Sequence, residues 1–143
     1  MRKCHLTVES THWVARRLPV PINCEFSFHP GDPYAVTLIF DAEGERPVRW
    51  VFARELLAEG LTATVGQGDV VATVGQGDVA VWPEHHPDGA SSMWVEVGNA
   101  LHKALFEIPA LPVAQWLAST YALVPRGQEL VGVDWEELTQ LTE

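Results

Sequence analysis

The chain of 143 residues has only two cysteines, Cys4 and Cys24. Two thiols are too few for a disulfide scaffold or a zinc cluster, so we expect both to be reduced. Long apolar runs are also missing, since the longest, residues 34–40, is far below the about 18 residues of a membrane helix. The first residues lack the pattern of a secretory signal, which predicts a cytoplasmic protein without a membrane span.

Basic residues are scarce, with nine Lys plus Arg against 19 Asp plus Glu and a net charge of −10. The imbalance lies in the second part of the chain, because residues 1–54 carry +1 and residues 55–143 carry −11. An acidic surface favours solubility and repels the phosphates of nucleic acids. Binding of nucleic acid would therefore have to use the basic residues near the start of the chain.

What the chain has is apolar volume, with 47% hydrophobic residues and six tryptophans, which predicts a packed core or a contact surface. Apolar residues at every second position predict strands, most clearly at residues 22–28, 48–52 and 91–97. Residues 34–40 are almost continuously apolar, which predicts a central strand covered on both faces.

Other segments favour helices. Residues 53–59 are good helix formers, and Gly60 stands where a helix commonly ends in the left-handed conformation. Residues 112–121 have apolar side chains at helical spacing, and residues 134–141 begin with the spacing of a capping box. Residues 103–108 fit a helix or a strand. Together these patterns predict one α+β domain over residues 1–143, with a mainly antiparallel sheet, a short mid-chain helix and C-terminal helices.

A nine-residue segment is duplicated, because residues 63–71 and 72–80 agree at eight of nine positions. Nine is an odd number, so on one unbroken strand the second copy would face the opposite side of the sheet. The Gly-Gln-Gly-Asp sequence in each copy favours turns. We expect a local hairpin with residues 70–74 as its middle strand, and the alternative is a lengthened loop.

We find no catalytic constellation and no cofactor or metal site in the sequence. Residues 75–80 match the letters of a dinucleotide fingerprint, but a strand rather than a helix follows them. The adjacent His85 and His86 point apart on an extended chain, and no second cluster would complete a metal site. Cys24 alternates with apolar neighbours, which favours a core position over a thiol–imidazole pair.

Three stretches of the chain, residues 31–36, 48–61 and 77–83, resemble the SsgA-like proteins, which are sporulation and cell-division regulators of mycelial actinomycetes. Residues 104–107, 113–120 and 123–129 look like the same family. The residues that carry the resemblance, which we call the motif residues, are Asp32, Pro33, Tyr34, Trp50, Phe52, Arg54, Leu56, Leu57, Gly60, Gly77, Asp78, Val79, Trp82, Pro83 and Pro125. The sequence of residues 50–61 is most similar to the SsgB branch of this family. The chain departs from the family by having two Gly-x-Gly-Asp-Val segments after the helix instead of one.

The resemblance implies a non-enzymatic scaffold or adaptor that helps to localise the tubulin-like protein FtsZ at septation sites and associates with an SsgA-like paralogue. It also implies a whirly-like fold, a homotrimer, a location at division septa and a strand at residues 103–108. We expect the closing helices, with Trp116 and Trp135, to contribute to subunit packing. The alternative function is single-stranded nucleic-acid binding, which the whirly-like fold suggests and the acidic charge disfavours.

Overall fold

A computed structural model describes residues 4–62, 70–74, 77–85, 91–99 and 101–128. Within these residues the chain forms eight strands and two helices. The strands are β1 (Cys4–Val14), β2 (Leu18–Phe28), β3 (Ala35–Phe40), β4 (Val48–Ala53), β5 (Val70–Val74), β6 (Gly77–His85), β7 (Ser91–Gly98) and β8 (Lys103–Pro109). The helices are α1 (Arg54–Thr62), between β4 and β5, and α2 (Ala110–Leu123), after β8.

The strands form one antiparallel sheet in the order β4-β3-β2-β1-β8-β7-β6-β5. Consecutive strands pair within β1–β4 and within β5–β8, so the sheet consists of two meanders. Pairing of β1 with β8, at Thr11 opposite Glu107, joins the meanders. The two edge strands, β4 and β5, contact each other, so the sheet curls round until its edges meet. The predicted α+β architecture is confirmed, with a mid-chain helix and a C-terminal helix. The last helix, predicted at residues 134–141, lies outside the described residues.

The inner face of the curled sheet forms the hydrophobic core. Fully buried side chains from strands in both meanders meet there, including Phe26, Leu38, Met93 and Ile108. Each large apolar side chain that is removed from water in this way stabilises the fold by about 1.5–3 kcal/mol. Cys24 lies in the same cluster with no exposed surface, which confirms the prediction that it faces the core.

Helix α2 packs into this core along one stripe of side chains. Val113, Trp116, Leu117 and Thr120 are buried, at the spacing that places residues on one face of a helix. The ring of Trp116 lies 5.6 Å from the ring of Phe26, between centroids. The helix predicted at residues 112–121 is confirmed, and it extends by about one turn beyond those bounds in total.

The duplicated segment contributes the hairpin of β5 and β6, with Val74 opposite Gly77 and Val70 opposite Val81. The predicted hairpin is therefore present. However, β5 is the outermost strand of the sheet and not a middle strand, because the other edge of β6 is already paired with β7. The rest of the first copy, residues 63–69, lies outside the described residues.

Two local predictions were wrong and one open choice is decided. Strand β3 is fully buried on one face only. Val36, Leu38 and Phe40 are buried, whereas the residues between them face the outer side of the sheet and are partly exposed. Gly60 does not end α1, which continues to Thr62. The segment that fitted either a helix or a strand is strand β8.

Candidate functional site

The candidate metal and thiol residues do not form a reactive centre in the described part of the chain. His85 ends β6, whereas His86 lies outside the described residues. Among the residues that the structure describes, no three His, Cys, Asp or Glu side chains come together in a way that could hold a metal ion. The described helices also include none that is long and apolar enough to cross a membrane.

The thiol of Cys24 is unreactive near neutral pH because it is buried. Its lack of contact with water raises the pKa of the thiol to about 11, and a weaker hydrogen bond with Ser10 opposes that rise. His12, on the neighbouring strand β1, stacks on Phe106 at 4.7 Å between ring centroids, and burial lowers its pKa. A thiolate is the reactive form of cysteine, so Cys24 is not poised for nucleophilic catalysis near neutral pH.

The raised pKa of Cys24 predicts how stability depends on pH. The unfolded chain loses this proton near pH 9.0, the ordinary pKa of the thiol, and the folded chain near pH 11. The free energy of unfolding therefore falls as the pH rises through this interval, by about 2 kcal/mol from this thiol at pH 10.5. Urea unfolding at pH 8 and pH 10.5 measures the loss. Cys24→Ala should lose less than the natural protein between these pH values, whereas Cys4→Ala should lose as much; equal losses in all three would contradict the prediction.

Arg54 connects the start of α1 to the end of α2. Its side chain is only 2% exposed, and its Nη1 donates a hydrogen bond to the carbonyl oxygen of Thr120 at 3.1 Å. The guanidinium lies 4.0 Å from the ring centroid of Tyr121 and 4.9 Å from that of Phe28. Thr120 is in the last turn of α2, where the helix dipole places partial negative charge, so a cation is favoured there.

Two further motif residues adjoin this contact. The backbone N–H of Arg54 donates to the carbonyl oxygen of Tyr34 at 2.6 Å. A cavity of about 70 Å³ is lined by Pro33 and Tyr34 on one side and by Arg54, Tyr121 and Arg126 on the other. A space of this size is far below the several hundred Å³ of an ordinary ligand pocket. The residues therefore form a structural joint, at whose surface Tyr34 is 52% exposed.

The motif residues of α1 and the strand before it are largely core residues. Phe52, Leu56 and Leu57 are buried, and Trp50 is half-buried against the same cluster. Gly60 packs closely against Val81 of β6. A Cβ atom at Gly60 would lie 2.3 Å from Cγ1 of Val81 and 3.1 Å from its carbonyl oxygen. The absence of a side chain at Gly60 is thus what allows the helix to sit on the strand.

The remaining motif residues lie in turns and in β6. Asp32 closes the turn before β3, with its N–H bonded to His29 at 2.9 Å. Pro125 follows α2, and its carbonyl oxygen accepts a hydrogen bond from Gln128 at 3.0 Å. In β6 the backbones of Gly77 and Asp78 pair with β5, Val79 is buried, and Trp82 and Pro83 are half-buried.

The two tryptophans expected in subunit packing have different outcomes. Trp116 is 7% exposed and belongs to the core of its own chain. Trp135 lies outside the described residues. Their contribution to assembly remains a prediction, and for Trp116 a loss of assembly would have to be separated from a loss of folding.

The outer face of the sheet carries three other tryptophans, which we call the outer-face tryptophans: Trp13 on β1, Trp82 on β6 and Trp94 on β7. The ring of Trp94 lies 6.2 Å from that of Trp13 and 6.5 Å from that of Trp82, between centroids. All three side chains are half-buried. Described helices and strands pack on the inner face of this part of the sheet, so these rings form a continuous aromatic row that is partly open to solvent.

Carboxylates hold two of the outer-face tryptophans in place. The indole N–H of Trp13 donates to Oε1 of Glu107 at 3.1 Å, and that of Trp94 donates to Glu84. The other oxygen of Glu107 accepts a hydrogen bond from Ser92 at 2.7 Å. Hydrogen bonds to a charged acceptor are strong, so the rings are fixed in orientation before any partner arrives.

A groove, which we call the outer-face groove, continues from the tryptophan row across β7, β8, β1 and β2. It has a volume of about 950 Å³. Its lining consists of Glu9, Ser10, Thr11, Pro19, Pro21, Ile22, Asn23, Asp41, Ser91, Ser92, Glu107 and Pro109. Three of these residues are acidic, and the lining contains no lysine, arginine or histidine within the part of the chain that the structure describes.

Reasoning from the sequence missed this surface. The alternation of side chains along β7 could have indicated it, because Met93, Val95 and Val97 face the core and Trp94 must then face outward. Register supplies the rest, since Trp82 lies directly opposite Trp94. Pairing between β1 and β8 brings Trp13 to the same row, and a contact over that distance in sequence has no local pattern.

Comparisons with known proteins support the resemblance read from the sequence. The family model described as Streptomyces sporulation and cell division protein, SsgA, matches residues 22–74 and 70–129. The two matches meet inside the duplicated segment, and each contains one copy of it. The second copy is therefore an addition to the pattern of the family.

Several relatives are sporulation-specific cell division proteins named SsgB. The chain is 36% identical to that of Thermobifida fusca over 122 residues, which is 85% of this chain and 80% of the relative. It is 38% identical to that of Streptomyces coelicolor over 112 residues, or 78% and 73% of the two chains.

Solved structures agree with the observed fold. An SsgA-like sporulation-specific cell division protein from Thermobifida fusca superposes with a TM-score of 0.78 and 27% identity, over 99% of this chain and 96% of the other. A structure of SsgB, described in connection with longitudinal cell division during sporulation of Streptomyces coelicolor, gives 0.73 and 30%, over 90% and 93%.

Proposed function

Since the chain belongs to the SsgA family of sporulation and cell-division proteins, in which several of its relatives are SsgB proteins, we propose that it helps to localise FtsZ at septation sites. It would do so as a cytoplasmic adaptor at division septa, through protein–protein contacts. The identity to SsgB proteins over most of the chain is the observation that carries this proposal. The family is non-catalytic, so the function has to reside in binding.

The geometry of the motif residues is compatible with such a role. Arg54, Gly60 and Phe52 stabilise the packing of the helices on the sheet, and the cavity that Arg54 lines has a volume of only about 70 Å³. They would therefore keep a binding surface in shape instead of transforming a substrate. The proposed assembly is a homotrimer that also contacts an SsgA-like paralogue.

Co-sedimentation tests the proposal directly. The purified chain is centrifuged alone, with FtsZ polymers assembled in GTP, and with FtsZ kept unassembled in GDP, each at two salt concentrations. We expect the chain to enter the pellet only with polymers and to have the mass of a trimer in light scattering. A trimer that stays in the supernatant with polymers at both salt concentrations would move the function to another partner.

Single-stranded nucleic-acid binding is the second candidate, and the outer-face tryptophans are the observation in its favour, because aromatic rings can stack on bases. The carboxylates of Glu84 and Glu107 at the same rings oppose it, since they repel phosphates. Titration with a labelled oligothymidylate at low and high salt decides between the two readings. Tight binding that weakens steeply with salt would favour nucleic acid.

A further inference from the structure

We propose that the outer-face tryptophans and the outer-face groove together form a docking surface for a basic peptide segment of a partner protein. The occupant is an extended stretch that carries arginine or lysine side chains. The proposal concerns the chemistry of the surface, and it holds or fails whether or not the partner is FtsZ.

The charge of the groove argues for a cationic occupant. Glu9, Asp41 and Glu107 line one concavity without a basic residue among its described lining. Like charges in a concave surface focus the field and raise the local concentration of cations. The same field excludes acidic peptides and phosphate backbones, so it selects by repulsion as well as by attraction.

The aromatic row supplies the second part of the recognition. Arginine and lysine bind over the face of tryptophan more favourably than over other aromatic rings. The rings of Trp13 and Trp94 are already fixed by Glu107 and Glu84, so a guanidinium placed over either one meets a ring of set orientation. Fixed rings also lose little conformational freedom on binding, which favours affinity.

The rest of the lining fits the backbone and stems of such a segment. Thr11 offers a hydroxyl group to a peptide backbone, and prolines at the groove offer apolar contact to the methylene stems of long cationic side chains. A volume of about 950 Å³ is sufficient for several residues of an extended chain and large for a single ion.

Two basic side chains of this chain already lie close to a carboxylate on the outer face of the sheet. Arg16, at the tip of the β1–β2 hairpin, pairs with Glu96 on β7. Lys103 approaches the same carboxyl group at 3.9 Å. These pairs lie on the outer face at the Lys103 end of β7 and β8, whereas the groove lies towards Ser92 and Pro109 at the other end. The ion pairs and the outer-face groove thus lie at different ends of β7 and β8.

The test is a titration of the full chain with fluorescein-labelled peptides. Binding is monitored by the fluorescence anisotropy of the peptide and by quenching of the intrinsic tryptophan fluorescence of the chain. The probes are a hexapeptide of alternating glycine and arginine and its counterpart with glutamate in place of arginine. We expect the arginine peptide to bind and to weaken at least fivefold when salt is raised from 50 to 300 mM. The glutamate peptide should not bind.

Variants locate the binding. Glu9→Gln with Asp41→Asn removes two carboxylates from the groove, and Glu43→Gln with Glu45→Gln removes two exposed carboxylates from the turn between β3 and β4. Both double variants change the net charge by the same amount. We expect the first to weaken the arginine peptide at least fivefold and the second by less than twofold.

Trp94→Leu tests the aromatic row, with a melting curve to confirm that the variant folds. We expect binding of the arginine peptide to weaken about fivefold and the change in tryptophan fluorescence to shrink. Four outcomes would overturn the proposal: equal effects of the two double variants, equal binding of both peptides, tight binding of oligothymidylate, or a change in assembly mass on substituting Trp94. The last outcome would make the surface an interface between copies of the chain.

Discussion

Gly60→Ala should destabilise the protein, although the same change at most positions in a helix is stabilising. Alanine is favoured over glycine in a helix interior by about 1 kcal/mol. At Gly60 the new methyl group would lie 2.3 Å from Cγ1 of Val81 and 2.6 Å from its Cβ, closer than carbon atoms can approach. Overpacking of this kind costs roughly 1–3 kcal/mol, and here the helix and the strand must also move apart.

We therefore expect a net loss of about 2 kcal/mol in the free energy of unfolding and a melting temperature lower by roughly 5–10 °C. Urea unfolding and thermal melting measure these changes. A melting temperature that stays the same or rises would show that α1 does not depend on this close approach to β6.

A double-mutant cycle identifies the contact responsible. Val81→Ala removes Cγ1, so it should cost less in the Gly60→Ala background than in the natural chain. Gly127→Ala is the control, because no atom lies within 4 Å of the position of a Cβ at Gly127. Its φ of 85° gives this variant a cost of its own, which comes from backbone strain and not from a contact with Val81. The cost of Val81→Ala should be unchanged in that background.

Much of the fold could be predicted from the sequence, because its determinants are local. Alternation predicted the strands, and helical spacing predicted α2. Gly60 shows where local reasoning fails, since glycine after a run of helix formers is typical of a helix end. In the structure its role depends on Val81, which is 21 positions away and on a different element.

The candidate site was less predictable for the same reason. Trp13 and Glu107 lie 94 residues apart, and they meet because β1 pairs with β8 at the junction of the two meanders. A strand pattern gives the face on which a side chain lies but not its neighbour on the next strand. The outer-face groove depends on four strands at once, so composition alone, in the form of the acidic charge, was its only trace in the sequence.

Among the substitutions of charged residues, Arg54→Ala should lower the free energy of unfolding the most. The change removes a buried hydrogen bond to Thr120, two cation–π contacts and the packing of the side chain, for an expected loss of about 3 kcal/mol. Urea unfolding measures it. Arg126→Ala is the matched control, because Arg126 lies over the same ring of Tyr121 at 5.4 Å but is exposed to solvent. It should leave the midpoint unchanged.

Arg54→Met separates charge from volume. Methionine fills much of the same space without a buried charge, so it removes the cost of taking the guanidinium out of water together with the contacts that the guanidinium makes. If the guanidinium stabilises the joint mainly through the Thr120 carbonyl and the aromatic rings, Arg54→Met should still lose about 1–2 kcal/mol. Since Thr120 belongs to the last turn of α2, hydrogen exchange should then increase first at that end of the helix. An Arg54→Met variant as stable as the natural protein would mean that the residue acts by filling space alone.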